Sequence, residues 1–362
     1  MSKKILYLMH LDWRWIKQRP HFIAEGLSDF YDVTVVHFYS KRYLFRNSDI
    51  PTPNEKNLKL VPAFRLPFYQ KEIIYDLNRV YMKLFLKFLI EKYEPDFVWF
   101  SHPQLYDYMP SNHQCKIVYD CMDLSTGFDY PDSFKKIVSD VERRLINDSD
   151  LIFVSSTKLM NRLGENYPSG KFVLVRNAFG GSVINDDLSV EKTYKKSFKI
   201  GYFGTIHSQL LDFNALKRTL DEFESIEYHF IGPIADNIKF YHDRVKFYGV
   251  VDHSDLYYYV KKFDYLILPF KLNELVEFVD PVKLYEYINF NKPIISVYYD
   301  ELDYFSRFLY FYSSQKNLAD ITNQIIKCRL IRKYSNSERL EFLQNNSWDV
   351  RIDKIVKSLE EL

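Results

Sequence analysis

Apolar residues in this chain come in short, nearly unbroken runs. Ile5–Met9, Val33–His37, Phe97–Phe100, Ile117–Tyr119, Leu151–Val154 and Val173–Val175 are rich in Val, Ile, Phe and Tyr, with helical periodicity between them. Strands that are apolar on both faces and alternate with helices predict a parallel sheet covered on two sides. A second series repeats the pattern: Ile200–Phe203, Tyr228–Ile231, Val245–Tyr248, Tyr265–Leu268 and Ile294–Val297. Between the series, Asn185–Ser197 is polar, charged and without apolar periodicity, as a linker would be. The pattern predicts an α/β chain of two domains, residues 1–184 and 198–344, joined by 185–197. Ser337–Leu362 alternates apolar and charged residues at helical spacing, and 345–362 is expected to return to the first domain.

The segment Asn78–Tyr93 carries Arg79, Lys83, Lys87 and Glu91 at four-residue spacing, with Val80, Leu84, Phe85, Phe88 and Leu89 on the other side. It reads as an amphipathic helix covering the sheet with that apolar side, and a membrane-surface helix is the second reading.

Length supports two domains, because 362 residues exceed the ~250–300 at which single cores stop growing. Thirty Tyr and thirty Phe raise the aromatic share to 18%, for core packing or for stacking on sugars or a nucleobase. A formal net charge of +1, with no basic tail, argues against a nucleic-acid partner. The first hundred residues hold 16 Lys and Arg against 11 Asp and Glu, which suits an anionic membrane face or a phosphorylated acceptor. Cys115, Cys121 and Cys328 offer neither a disulfide framework nor metal spacing and read as reduced thiols. Met1–Met9 is too short for a signal peptide or a membrane span. The expected location is the cytoplasm, with peripheral contact at the inner membrane face left open.

In open parallel sheets, ligands gather beyond the carboxyl ends of the strands, where helix N-termini present unpaired N–H groups. The first such edge reads His10–Leu11–Asp12–Trp13–Arg14–Trp15, then Gln18–Arg19–Pro20 opening a helix. Asp12, Trp13 and Arg19 are candidates for an acceptor or a phosphate, and the plainer reading of Arg19 is a salt bridge. Ser101–His102–Pro103 and Asp120–Cys121–Met122–Asp123 follow later strands. His102 and Asp123 are therefore candidates for a general base or for stabilising an oxocarbenium, with capping as the alternative for Asp123. In the second half, strand ends carry Gly204–Thr205, Gly232, Gly249 and Pro269, where glycine permits close backbone approach to a ligand. Neither Gly-x-Gly-x-x-Gly nor a Walker loop occurs.

The strongest local signal is Asp280–Pro281–Val282–Lys283–Leu284–Tyr285–Glu286–Tyr287. Asp280 and Pro281 fit a helix start, with Lys283 in the first turn and Glu286 on the same side. A lysine at a helix N-terminus can hold a diphosphate while Glu286 accepts from ribose hydroxyls; an i,i+3 ion pair is the alternative. Asp148–Ser149–Asp150 spells a metal-binding Asp-x-Asp, but it precedes a strand, at the wrong edge of the sheet. No cluster has convincing metal spacing, so no metal is expected.

Trp13–Pro20 (WRWIKQRP), Tyr119–Asp123 (YDCMD), Ile200–Gly204 (IGYFG) and Pro281–Tyr287 (PVKLYEY) before Lys292–Pro293 occur in order. Together they resemble the group 1 glycosyltransferases of the GT-B fold, especially those of teichuronic-acid and capsule synthesis. The resemblance implies two Rossmann-like domains facing a cleft, a UDP- or GDP-sugar co-substrate held by the second, and a glycan or lipid-linked glycan acceptor held by the first. It also implies transfer with retention of configuration and without a metal or other cofactor. Glu286 matches the second glutamate of the Glu-x7-Glu motif, whereas Phe278 stands where the first would be, with Glu277 and Glu274 nearby. Thr205–Ile206–His207–Ser208 lacks the basic residue usual after the glycine strand, which leaves the phosphate to Lys283. Lys41–Arg46 (KRYLFR) is a candidate acceptor or membrane loop. A catalytically inactive partner subunit and a nucleotide-sugar epimerase are the alternative functions.

Overall fold

The computed structural model describes residues 2–39, 57–185, 195–252 and 254–362. The loop Lys41–Arg46 and most of the 185–197 segment lie outside them. The chain divides into two compact units, one of Met1–Asn177 with Trp348–Leu362 and one of Ala178–Ser347. The change of unit falls at 177/178, ahead of the polar segment, because Phe179 joins the second core and the Ile184 N–H donates to Asn289 Oδ1 at 3.0 Å.

In the first unit the order is β1 (Lys4–Met9), α1 (Arg19–Leu27), β2 (Asp32–Phe38), β3 (Leu58–Ala63), α2 (Glu72–Tyr93), β4 (Phe97–Phe100), β5 (Lys116–Cys121), α3 (Asp132–Asp148), β6 (Leu151–Val154), α4 (Thr157–Asn166) and β7 (Phe172–Leu174). The described strands form one sheet in the order β3-β2-β1-β4-β5-β6-β7. Every pairing is parallel, with Leu8 opposite Val36 on one side and Phe100 on the other. Strand order reverses between β1 and β4, the switch point where such sheets open a crevice.

The second unit repeats this plan: β8 (Phe198–Phe203), α5 (Phe213–Glu222), β9 (Ile226–Ile231), β10 (Val245–Phe247), α6 (Leu256–Val260), β11 (Tyr265–Leu268), α7 (Val282–Asn289), β12 (Ile294–Val297), β13 (Leu309–Tyr312), α8 (Gln315–Ile326) and α9 (Asn336–Asn345). Its parallel order is β10-β9-β8-β11-β12-β13, with the switch between β8 and β11. Two parallel sheets clothed in helices meet the α/β expectation.

The C-terminal helix α10 (Trp348–Glu360) belongs to the first unit. Trp348 stacks on Phe22 of α1 at 5.1 Å, and Ile352 occupies the space that a side chain at Gly26 would fill. The aromatic excess goes largely into cores: Trp99 stacks between Tyr7 and Phe153 at 5.4 and 5.2 Å, and Phe203 meets Tyr287 at 4.5 Å.

Helix α2 keeps only part of its expected inner side, with Leu89 buried and Phe85 half-buried. Tyr75, Asn78, Met82, Leu86 and Leu89 are buried, while Val80, Leu84 and Phe88 are exposed. Asn78 directs the choice, because its amide closes the loop before the helix: Oδ1 accepts from the Leu66 N–H at 2.8 Å and Nδ2 donates to Ile74 O at 2.9 Å. Among the described residues, no helix is long and apolar enough to cross a membrane.

Candidate functional site

In the second unit, the chain after β8, β9 and β10 passes through three glycines, Gly204, Gly232 and Gly249, the first of them beside the switch point. The Gly204 N–H donates to Ile231 O at 2.9 Å and the Gly232 N–H to Gly249 O at 2.7 Å. Their φ values are +135°, +134° and +72°, a region that side-chain-bearing residues avoid. Gly232 is also sterically required, and at Gly204 a Cβ would displace a side chain. A Cβ on Gly204 would come within 2.9 Å of Lys283 Cδ and nearer still to Cε, and one on Gly232 would strike the Gly204 carbonyl group. Lys283 therefore lies across the bare face of Gly204. Thr205, half-buried, completes the turn by accepting from Tyr202 Oη at 2.9 Å, and Pro269 at the end of β11 accepts from the Asp212 N–H at 2.8 Å.

Helix α7 begins where the sequence places it. Pro281 is its N-cap, Val282 its first residue and Lys283 its second. Tyr287 fixes it to the sheet, accepting from the Phe203 N–H at 3.2 Å and donating to Ile267 O at 3.3 Å. Tyr285 donates to the buried Asp280 carboxylate at 3.2 Å. Arg339 of α9 secures the far end, donating to Asn289 O at 2.7 Å. The Tyr202 and Phe270 rings lie 6.0 and 5.9 Å from Lys283 Nζ, and no hydrogen bond or ion pair reaches it among the described residues. Burial pulls the ammonium below the usual lysine range, with Glu286 opposing. A buried cation with no ion pair among the described residues, at a helix N-terminus beside glycine turns, is an arrangement that attracts an anion.

Glu286, half-buried on the same side of α7, lines a cavity of about 370 Å³ with Gly180, Gly181, Ser182, Tyr257 and Asn289. Phe278 closes a 3-10 turn, Val276–Phe278, and its side chain is buried; the adjacent Glu277 is half-buried. The position of the motif's first glutamate therefore belongs to the core here.

At the switch point of the first unit, His10 follows β1 and His102 follows β4, their rings 5.4 Å apart. Ser101 Oγ lies 2.9 Å from His10 Nδ1, and His102 Nδ1 accepts from the Gln104 N–H at 3.2 Å. Burial, then Arg65, holds His102 at about 4; burial, then His102 and Arg65, holds His10 well below its usual value. Both imidazoles are neutral at pH 7. Arg65, absent from the sequence candidates, stacks 3.6 Å above Tyr69 and 4.9 Å from Phe38. It lines a cavity of about 450 Å³ with His10, Asp12, Trp15, Tyr39 and Phe68. Its signal was faint because it follows β3, an edge strand whose run is broken by Lys59 and Pro62.

Three first-unit candidates are committed elsewhere. Asp12 holds Arg14 through two bonds of 2.9 and 2.8 Å. Trp13 is buried against His21 at 5.1 Å, and Trp15 is the tryptophan that reaches the cavity. Arg19, read as a phosphate contact or a salt bridge, makes the salt bridge and turns inward: Nη2 donates to Asp120 at 2.7 Å and Nη1 to Val175 O at 2.7 Å, with Arg19 4% and Asp120 0% exposed. Asp123 is half-buried and its carboxyl is raised to about 6 by burial, Arg19 opposing and Asp120 adding. Asp148 and Asp150 are structural acceptors, from Tyr106 Oη at 2.5 Å and the Ile117 N–H at 2.8 Å. Among the described residues, no group of three or more His, Cys, Asp or Glu is placed to hold a metal.

Two parallel-sheet units, each with its first strand beside the switch point, define the GT-B fold class. Solved structures agree. Sucrose-phosphate synthase from Thermosynechococcus elongatus superposes with a TM-score of 0.76 at 11% identity, covering 99% of this chain and 98% of that one. The lipopolysaccharide outer core galactosyltransferase WaaB gives 0.67 at 14%, covering 98% and 99%. Anabaena HepE, solved with UDP-glucose, gives 0.63 at 14%, covering 99% and 100%. In sequence, the chain is 25% identical over 199 residues to TuaH of Bacillus subtilis (strain 168), named as a teichuronic acid biosynthesis glycosyltransferase. That match spans half of this chain and half of TuaH. No family model matches the chain.

Proposed function

We propose that this protein is a glycosyltransferase that moves a sugar from a nucleotide-sugar, UDP- or GDP-linked, onto a cell-envelope glycan or its lipid-linked precursor. The observation that carries the reading is Lys283, an ammonium with no ion pair among the described residues, lying across Gly204 in the first turn of α7. The donor diphosphate sits against Lys283, the α7 N-terminus and the Gly204 and Gly232 turns, and Glu286 takes the ribose hydroxyls at the mouth of its cavity. The UDP-glucose complex of HepE supports a nucleotide-sugar as the ligand.

As the glycosidic bond to the diphosphate breaks, negative charge grows on the leaving oxygen, and a fixed cation there stabilises that charge without reorganising. The acceptor hydroxyl passes its proton to the departing phosphate on the same face, so the configuration is retained and no protein nucleophile is needed. Positive charge from Lys283 and the helix makes a divalent cation unnecessary in this scheme. His102 and Asp123 belong to the acceptor side, at the cytoplasmic face of the envelope.

The test is ligand-induced thermal stabilisation with UDP, GDP and CDP, followed by turnover of the matching nucleotide-sugar. One nucleotide is expected to stabilise the native protein and Lys283→Ala to abolish the effect while folding normally. Equal stabilisation of the Lys283→Ala protein would remove the lysine from the site. A second reading, an inactive partner subunit, is favoured by Phe278 filling the core where the motif has glutamate. Nucleotide binding without turnover across an acceptor panel would select it.

A further inference from the structure

We propose that the outer face of α2 is a docking surface for an anionic lipid bilayer. Ile73, Leu77, Val80, Tyr81, Leu84 and Phe88 are all exposed, Ile73 by 78% and Leu84 by 66%. At about 100° per residue they share an arc of about 100°, roughly 150° from the buried face of Tyr75, Met82, Leu86 and Leu89. The helix thus has two apolar faces, and the structure uses only one of them. The outer stripe runs about 22 Å along the axis, long for a surface meant only for water.

The flanks identify the occupant. Lys83 and Lys87 border the stripe on one side and Lys92 on the other, with Lys92 Nζ 5.5 Å from the Phe88 ring. Lysines beside an apolar stripe can lay their stems on hydrocarbon and reach headgroup phosphates with their ammonium groups. A second helix would need the 73, 77, 80, 84 seam to continue through 87 and 91. Lys87 and Glu91 stand there instead, ion-paired at 3.8 Å. Tyr81 and Phe88 widen the stripe beyond a helical seam but suit the level of the headgroups. The first hundred residues carry five more basic than acidic side chains, 16 against 11, which adds attraction to the same kind of surface.

The experiment is vesicle co-sedimentation of the full chain without donor or acceptor, so its outcome is independent of the transfer reading. Binding is expected to phosphatidylcholine vesicles containing phosphatidylglycerol and to weaken with salt. The double substitution Leu84→Glu, Phe88→Glu is expected to lower it roughly tenfold or more, and Lys83→Gln with Lys92→Gln to lower it and flatten the salt dependence. All these positions are exposed, so circular dichroism and melting should match the parent; if the glutamates perturb folding, Leu84→Ser with Phe88→Ser serves instead. Failure of the parent to bind, or undiminished binding by a folded double variant, overturns the proposal. So does a parent dimer that the same substitutions dissociate, since a second copy would then be the occupant.

Discussion

Replacing Gly204 by alanine tests whether the glycine turn and the lysine form one device. The backbone there has φ +135°, and holding alanine in such a conformation costs about 1–3 kcal/mol. The added Cβ would also fall within 2.9 Å of Lys283 Cδ and 3.0 Å of Nζ, with Cε closer. These atoms are the free end of a flexible chain, so the lysine will swing away rather than the sheet deform. Gly204→Ala should therefore lose stability mainly through strain, melting roughly 2 to 12 °C lower for a body of this size. It should also lose the anion contact, about 1.5–3 kcal/mol for a hydrogen bond to a charged group, or roughly 10- to 150-fold in affinity for a nucleoside diphosphate. Calorimetric titration with UDP reads the affinity and thermal melts read the stability. The double variant with Lys283→Ala separates the two effects: binding losses should not add, because both changes remove the same ammonium, and part of the stability loss should be recovered. Wild-type UDP affinity in a folded Gly204→Ala protein, or fully additive binding losses, would refute the reasoning.

The other glycines should rank by what their Cβ would meet. Gly232→Ala drives it into the Gly204 backbone, which cannot swing aside, and should destabilise more than Gly204→Ala; Gly249→Ala meets nothing within 4 Å and should cost only strain, on the order of 1 kcal/mol in urea unfolding. Arg19→Ala leaves the fully buried Asp120 without its cation and should cost about 3–5 kcal/mol, and Arg19→Lys should recover little because the forked geometry is lost; a loss of nucleotide affinity with no loss of stability would contradict this. Asp123 has a folded pKa of about 6 against 3.8 unfolded, so its contribution to stability is fully present below pH 3.8 and is lost as pH rises to about 6. Asp123→Asn should thus gain stability over the parent above pH 6 and lose that advantage near pH 4, and a pH-independent difference in urea melts would reject the shift.

The strands that could be read from sequence are those buried on both faces, since continuous apolar runs leave little ambiguity. β3 and β13 were missed. β3 lies at a sheet edge where Lys59 and Pro62 break the run, and β13 is a four-residue edge strand, LYFY, too short to announce itself. The motif at Asp280–Tyr287 was legible because a helix start, a lysine and an acid one turn later are local. What Tyr287 and Arg339 do was not legible, since their partners lie 20 to 84 and 50 residues away. For Arg19 the sequence offered a salt bridge but not its partner, a carboxylate 101 residues downstream. For α2 the sequence reading took Val80, Leu84, Phe85, Phe88 and Leu89 as the single apolar side, and the inner face instead includes a polar residue, Asn78, whose loop partner Leu66 the periodicity does not reveal.

The two switch points share a strand order but not a chemistry, and the difference follows from which residues end the strands. In the second unit the ends of β8, β9 and β10 are glycines and the side chain laid over Gly204 is a cation with no ion pair among the described residues, so an anion can be held there with no proton changing place. In the first unit the ends carry His10 and His102, imidazoles that burial keeps neutral, and Asp123, a carboxyl that burial raises to about 6, while the permanent charges Arg14 and Arg19 are already bound to Asp12 and Asp120. Arg65 is the exception, a guanidinium stacked on rings with no carboxylate among the described residues. On the proposed reading the acceptor hydroxyl would meet the two neutral imidazoles and Asp123, groups able to exchange hydrogen bonds with it, which the glycine ends of the second unit cannot do.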